Sequence, residues 1–216
     1  ESEYREVQQK AAVLYRKQPR FQLITTGKIS QKKLLFEKQH LERLQKASRY
    51  FAFPFDQEVL RQKIEKEYQS CDIRQDYRIR ISLSKSGEIE IERQVLTPLS
   101  SSFCQAKLCL QEADLQQAFT YFKTTHRPHL TVGEQEIIYH TADGKLLETS
   151  IGNLVLKMDG KLYTPPSTLG LLPGIYRQHL LENGQVEEKV LTVEDLKEAE
   201  VIYACNAVRG LYELKI

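Results

Sequence analysis

What the chain lacks narrows its function before any motif does. Its 216 residues carry 31 lysines and arginines against 29 acidic residues, a net charge of only +2. That balance gives no electrostatic case for a nucleic-acid or membrane partner. No apolar run approaches the roughly 20 residues that a membrane-spanning helix requires. Cys71, Cys104, Cys109 and Cys205 form no Cys-x-x-Cys pair and no apolar signal segment opens the chain, which predicts free, buried thiols in a cytoplasmic protein. His126 and His129 sit three apart, but Pro128 lies between them and no third ligand is near, so no metal site is read there. Internal repeats and low-complexity tracts are absent too. What remains is a chain with 41% hydrophobic residues, enough for one large globular domain or two small ones. Anionic small molecules stay open as ligands, because local clustering of cations matters even where the total cancels.

Periodicity divides the chain. The segment Glu3 to Lys17, with Val7, Ala11, Leu14 and Tyr15 near helical spacing, predicts a charged helix. Residues 1–20 read as a linker or fusion-junction helix. From Phe21 a short apolar strand leads into a helix whose face carries Leu41, Leu44, Ala47 and Phe51 and which Pro54 ends. Asp56 is placed to cap a second helix bearing Leu60, Ile64 and Tyr68. Tyr77, Ile79, Ile81 and Leu83 alternate with polar residues, and Ser86-Gly87 turns the chain into a second strand from Glu88 to Val95. Residues 21–96 thus read as a small α/β domain. Pro98 and the serines after it mark 97–104 as an interdomain linker.

The remainder, 105–216, reads as a larger, mostly β domain, so the fold class is α+β. Strands are expected over Lys107 to Leu110, Glu136 to His140, Leu154 to Met158, Lys161 to Tyr163, Glu187 to Leu191, Val201 to Ala204 and Leu211 to Lys215. Asp143-Gly144 and Asp159-Gly160 are hairpin turns. Two helices interrupt the strands. One runs from about Gly174 to Glu182 and is ended by Asn183-Gly184; the other is opened by Thr192 with Asp195 three later.

Four stretches of this half carry chemistry: Phe122-Lys-Thr-Thr-His-Arg127, Leu146-Leu-Glu-Thr-Ser-Ile-Gly-Asn153, Leu172-Pro-Gly-Ile-Tyr-Arg177 and Cys205-Asn-Ala-Val-Arg-Gly210. They supply an amine, a carboxylate and two turns rich in backbone N–H groups. A lysine that is desolvated and near other cations loses its proton easily and condenses with an aldehyde. Small residues around Glu148 let a ring approach the backbone. Proline and glycine at a helix start leave free N–H groups that bind phosphate with help from the helix dipole. Taken singly, each has a plainer reading as a surface lysine, a strand glutamate or an ordinary turn.

In order and spacing these motifs resemble the class IV, or fold-type IV, pyridoxal-phosphate enzymes, which include branched-chain and D-amino-acid aminotransferases and aminodeoxychorismate lyase. The resemblance runs from about Phe21 to the end. It is greatest to the lyase branch, in the version fused behind an aminodeoxychorismate synthase domain, on Lys123-Thr-Thr-x-Arg127, the segment around Asn153, Thr164-Pro-Pro166 and Asn206-Ala-Val-Arg-Gly210. It implies pyridoxal 5'-phosphate in a cleft between the two domains, with Lys123 as the catalytic lysine and Glu148 as partner of the pyridine nitrogen. Leu172 would lie under the ring. Ile175, Tyr176, Asn206 and Ala207 would hold the phosphate, and Arg43, in His40-Leu-Glu-Arg-Leu44, would reach it as well. Thr26, Lys28, Arg127 and Arg209 are candidates for the substrate's carboxylates.

Two departures stand out. Lyase-like members often read Phe-Glu-Leu-Leu-Glu-Thr-x-Arg where this chain has Phe21-Gln-Leu-Ile-Thr-Thr-Gly-Lys28, so an acidic residue is missing and a lysine replaces an arginine. Class IV aminotransferases carry a tyrosine five positions after the lysine, where this chain has Pro128; that counts against ordinary transamination. The resemblance therefore implies a lyase making 4-aminobenzoate and pyruvate from 4-amino-4-deoxychorismate, a step toward folate. The alternatives are a class IV aminotransferase acting on branched-chain or D-amino acids and, in another class, a non-catalytic module fused to the synthase. A homodimer is expected from the family alone.

Overall fold

The computed structural model describes residues 19–111 and 117–216; the helix expected over Glu3 to Lys17 lies outside the described residues. The first described unit is built on two-residue alternation. Strands β1 (Leu23–Ser30) and β2 (Lys33–Leu34) precede helices α1 (Glu37–Phe51) and α2 (Gln57–Ser70), and β3 (Tyr77–Leu83) and β4 (Ile89–Val95) follow. The four strands form an antiparallel sheet in the order β2-β1-β3-β4. Leu23 and Ile29 of β1, with Ile79, Ile81 and Leu83 of β3, pack in one core with Leu41, Leu44 and Ala47 of α1 and Leu60 and Ile64 of α2. Because successive side chains of a strand point to opposite faces, Ile24, Thr26 and Lys28 share the other face with Arg78 and Arg80. The register sets Thr26 opposite Arg80 and Lys28 opposite Arg78.

The helix ends have local causes. Asp56 Oδ1 accepts the N–H groups of Glu58 and Val59 at 2.9 and 3.2 Å, which satisfies two donors that no intrahelical carbonyl reaches. At the end of α1 the stop comes before Pro54. Ala52 takes a left-handed backbone at φ 55, and Phe53 N–H returns to Ser48 O at 2.9 Å, closing the last turn.

The rest of the chain forms a mixed sheet. It comprises β5 (Phe103–Leu110), α3 (Gln117–Tyr121), β6 (Glu136–His140), β7 (Leu146–Thr149), β8 (Asn153–Met158), β9 (Lys161–Thr164), α4 (Ile175–Glu182), β10 (Glu187–Glu188), α5 (Val193–Glu198), β11 (Val201–Asn206) and β12 (Gly210–Lys215), with a short 3-10 turn at Ser167–Leu169. Its order is β10-β9-β8-β11-β12-β5-β6-β7, and a further β8–β7 pairing closes six of these strands into a ring. The ring encloses Ala106, Ile138, Leu146, Leu154, Ala204 and Leu214. Strand β5 is parallel to both of its neighbours, β12 and β6.

Several boundaries differ from the sequence expectation. Phe103 and Cys104, assigned to the linker, already pair with Glu213 and Leu214 of β12. Strand β7 was not anticipated, because its four side chains are all buried and show no alternation. The strand expected over Glu187 to Leu191 keeps only Glu187–Glu188; Lys189 N–H still reaches Thr164 O of β9 at 3.0 Å, after which Leu191 O accepts Leu146 N–H at 2.8 Å. The capping box on α5 is present, with Thr192 and Asp195 bonding each other's backbone. The expectation that the free cysteines are buried fails in part. Cys71 and Cys205 are buried, but Cys104 is half-buried and Cys109 exposed, since β5 carries Cys109 on a face that stays open among the described residues. No helix among the described residues is long and apolar enough to cross a membrane.

The cap on α2 gives a direct check. Asp56→Ala should lower stability by about 1 kcal/mol, read as a lower urea midpoint at unchanged slope, while Asp56→Asn should stay close to the unsubstituted protein.

Candidate active site

One cavity of about 690 Å³ takes lining residues from every part of the fold. The helix-free face of the small sheet supplies Ile24, Thr26, Arg78 and Arg80, and α1 supplies Arg43. The ring of strands contributes its turns: Glu148 to Asn153 between β7 and β8, and Cys205 to Arg209 between β11 and β12. Leu172, Gly174 and Ile175 at the start of α4 complete the wall with the segment of Lys123, Thr124, Thr125 and Arg127.

Lys123 is held by β1. Its carbonyl accepts Ile24 N–H at 2.9 Å, and Thr125 N–H donates to Gln22 O at 2.9 Å. Aromatic packing fixes the approach: Phe122 lies on Phe51 with ring centroids 5.3 Å apart, and Phe119 meets Phe21 at 5.0 Å. Lys123 itself is half-buried and lines the cavity, with Arg127 and Arg43 acting on its amine. Burial, and then the charges of those two arginines, bring its pKa down from 10.5 to about 7, against the pull of Glu148. A lysine in this state is neutral in a substantial fraction of molecules near neutral pH.

Glu148 is 3% exposed. One carboxylate oxygen accepts from Arg127 Nη2 at 3.2 Å and from Leu172 N–H at 3.2 Å. Burial pushes its pKa above the usual range, while Arg127 and then the Leu172 N–H pull it back. Leu172 is also fixed through its carbonyl, which accepts Asn153 Nδ2 at 2.8 Å. That bond explains Gly174, because a Cβ there would fall 1.9 Å from Asn153 Oδ1. Gly152 answers a similar demand: a Cβ on it would lie 2.8 Å from Cys205 O.

Backbone donors gather beside these groups. Gly174 caps α4 without any side-chain hydrogen bond, so the first-turn N–H groups of Ile175 and Tyr176 have no intrahelical partner. The Tyr176 ring turns away to Phe36 and His179, with centroids 5.9 and 5.8 Å off. The Asn206 side chain is spent on its own turn: Oδ1 accepts Val208 N–H and Arg209 N–H, each at 3.0 Å. Ala207 follows it on the cavity wall. Arg43 Nη2 donates to Pro173 O at 2.8 Å, and burial, with Arg127 close by, lowers its pKa to about 10.

Three sequence expectations are revised here. Lys28 does not line the cavity, although Arg78 opposite it does; its amine is drawn to Asp76 at 3.3 Å instead. Arg127 does line it, but its guanidinium is tied to Glu148 and its side chain is only 14% exposed, which leaves it poorly placed for a substrate carboxylate. Asn206 shapes a turn with its side chain rather than offering that side chain to a ligand. Arg78 and Arg80, which the motif reading passed over, both face the cavity with no ion-pair partner among the described residues. The alternation of Tyr77, Ile79 and Ile81 had already set them on one face, but no sequence signal said what that face looks onto. Arg209 stays at the rim, donating to Thr97 O at 3.2 Å.

The model of the family described as amino-transferase class IV matches residues 22–215. An aminodeoxychorismate lyase of Saccharomyces cerevisiae is 25% identical over 198 residues, which covers 68% of this chain and 53% of that protein; the match thus spans about half of the yeast relative. Among solved structures, a "putative amino-acid aminotransferase" from Mesorhizobium loti is 27% identical with a TM-score of 0.79, covering 90% of this chain and 99% of that one. The pyridoxal-phosphate-bound form of a hypothetical aminotransferase from Mycobacterium tuberculosis is 17% identical with a TM-score of 0.73, covering 89% and 80%; this last shows likeness of fold alone.

The lowered basicity of Lys123 has a measurable consequence. A group with its pKa near 7 gains its neutral form as pH rises through 7. Borohydride trapping of pyridoxal phosphate on Lys123 should therefore fall about tenfold from pH 8 to pH 6, read by peptide mass mapping. Labelling spread over surface lysines would contradict the assignment.

Proposed function

The chain belongs to the class IV amino-transferase family, and from that premise we propose that it is a pyridoxal-phosphate lyase converting 4-amino-4-deoxychorismate to 4-aminobenzoate and pyruvate. One observation carries this choice within the family. Five arginines, Arg43, Arg78, Arg80, Arg127 and Arg209, line the cavity beside Lys123, against the single carboxylate of Glu148. A phosphate bringing close to two negative charges and a substrate with two carboxylates match that surplus. A branched-chain amino acid brings one carboxylate and an apolar side chain, and would leave half-buried cavity arginines without an anionic partner.

The residues present fit the cofactor. Lys123 offers the amine, Glu148 an anionic partner for the ring nitrogen, and Arg43 with the amides of Ile175, Tyr176 and Ala207 a set of donors for the phosphate. Arg127, bonded to Glu148, favours the ionised carboxylate against the burial that opposes it. When bound, pyridoxal phosphate supplies an aldehyde that condenses with amines and a ring that withdraws electrons from the adjoining carbon.

The chain's own groups then have defined tasks. Lys123, as a neutral amine, takes the proton from C4 of the substrate. The C3–oxygen bond breaks, enolpyruvate departs and the ring becomes aromatic. Protonated Lys123, or a water beside it, delivers a proton to the methylene carbon of enolpyruvate to give pyruvate. Arg78, Arg80 and Arg209, with Thr26, bind the substrate's carboxylates. Pro128 offers no hydroxyl to the cofactor's phenolic oxygen, which also favours the lyase over a transaminase. On the family resemblance, the proposal includes a cytoplasmic homodimer, fused to or working beside an aminodeoxychorismate synthase.

Lys123→Ala should reduce release of pyruvate and 4-aminobenzoate by about a thousandfold, and undiminished release would end the assignment. Arg78→Leu and Arg80→Leu should each raise KM about tenfold with a smaller change in kcat. An absorbance spectrum taken with an amino donor and no 2-oxo acid separates the readings: an aminotransferase converts its cofactor to the pyridoxamine form, whereas the lyase returns the aldehyde.

A further inference from the structure

The ring of strands holds a buried acid that the reaction above does not use. Glu136 opens β6 and is 7% exposed, with no cation paired to it among the described residues. A carboxylate in such a place is costly unless hydrogen-bonded, and two hydroxyls meet the need. Tyr212 O–H donates to Oε1 at 2.7 Å, and Ser150 Oγ donates to Oε2 at 2.8 Å.

Each hydroxyl reaches further, toward the cavity. Ser150 Oγ accepts Ile137 N–H at 3.2 Å and sits two residues after Glu148, on the cavity wall. Tyr212 Oη accepts Asn206 Nδ2 at 3.4 Å, and the same Nδ2 approaches Ile151 O at 3.5 Å. A connected line therefore runs from the Glu148 turn through Ser150, Glu136 and Tyr212 to Asn206, whose Oδ1 holds the turn that presents Ala207.

The direction of these bonds matters more than their number. Both hydroxyls donate to the carboxylate, one to each oxygen. Tyr212 then has only lone pairs left to receive the Asn206 NH₂, which supports the same amide orientation that Val208 and Arg209 N–H impose on its oxygen. A glutamine at 136 would break this order, because its own NH₂ needs an acceptor where a hydroxyl now donates.

We propose that Glu136 is a positioning residue for the cofactor site: by accepting from Tyr212 and Ser150 it supports the amide orientation of Asn206, and with it the turn facing the phosphate, and it anchors the strand end that carries Glu148. This rests on reading the cavity as a pyridoxal-phosphate site.

The test titrates the full chain with pyridoxal phosphate and, separately, with pyridoxal, which lacks the phosphate, following absorbance, with melting of the unliganded protein as the check on folding. Tyr212→Phe removes one oxygen and keeps the ring. It should weaken pyridoxal phosphate binding about five- to tenfold and leave pyridoxal affinity unchanged. Glu136→Gln should lose at least as much for the phosphorylated aldehyde, and the double variant no more than about twofold beyond the worse single one, because the two act along one line. Equal losses for both aldehydes in Tyr212→Phe, or no loss for either, overturn the proposal. If Glu136→Gln does not fold, Tyr212→Phe decides alone. Failure of the unsubstituted chain to bind either aldehyde overturns the cofactor reading, and this proposal with it.

Discussion

Keeping an amine neutral beside arginines is the constraint on which the site depends. Lys123 loses hydration and gains two cationic neighbours, so its ammonium form is disfavoured and its pKa falls to about 7. A partly hydrated lysine on the surface would hold its proton through the physiological range. The same crowding would repel itself without an anion within, and Glu148 is that anion, tied to Arg127 and to the Leu172 amide. His40 on α1 feels the same field: burial first, then Arg43 and Lys123, bring its pKa to about 3. It stays neutral and bonds Thr25 Oγ1 at 2.6 Å.

The fold meets this constraint by assembling the cavity from two separate cores. One buries the apolar face of the small sheet beneath α1 and α2, which leaves the opposite face, with Thr26, Arg78 and Arg80, turned to the cavity. The other fills the ring of strands and leaves its turns at the open end. The Lys123 segment joins them, hydrogen-bonded to β1 and packed into the aromatic cluster of Phe21, Phe51, Phe119 and Phe122. Polar groups thus gather where two apolar cores meet without fusing, a common place for a ligand.

Much of the fold was legible because its signals are local. Asp56 at a helix start, the Thr192 capping box and the alternation over Tyr77 to Leu83 each rest on a physical preference that acts within a few residues. Strand β7 escaped notice because all four of its side chains are buried, so the two-residue pattern that marks a half-exposed strand is missing. Lys28 misled for a related reason. It shares a face with Thr26, but nothing local in the chain says that Asp76, 48 residues on, draws its amine aside.

By itself the sequence determined four of the five described α-helices and most strands, and the motifs around Lys123, Glu148, Leu172 and Asn206, since each depends on neighbours a few positions away. Only the tertiary structure decided that Arg127 serves Glu148, that Arg78 and Arg80 face the same cavity as Lys123, and that Glu136 is joined to Asn206 through Tyr212. Those relations span tens of residues and depend on which sheet face is left uncovered and where a ring of strands closes, and long-range packing, not local preference, settles both.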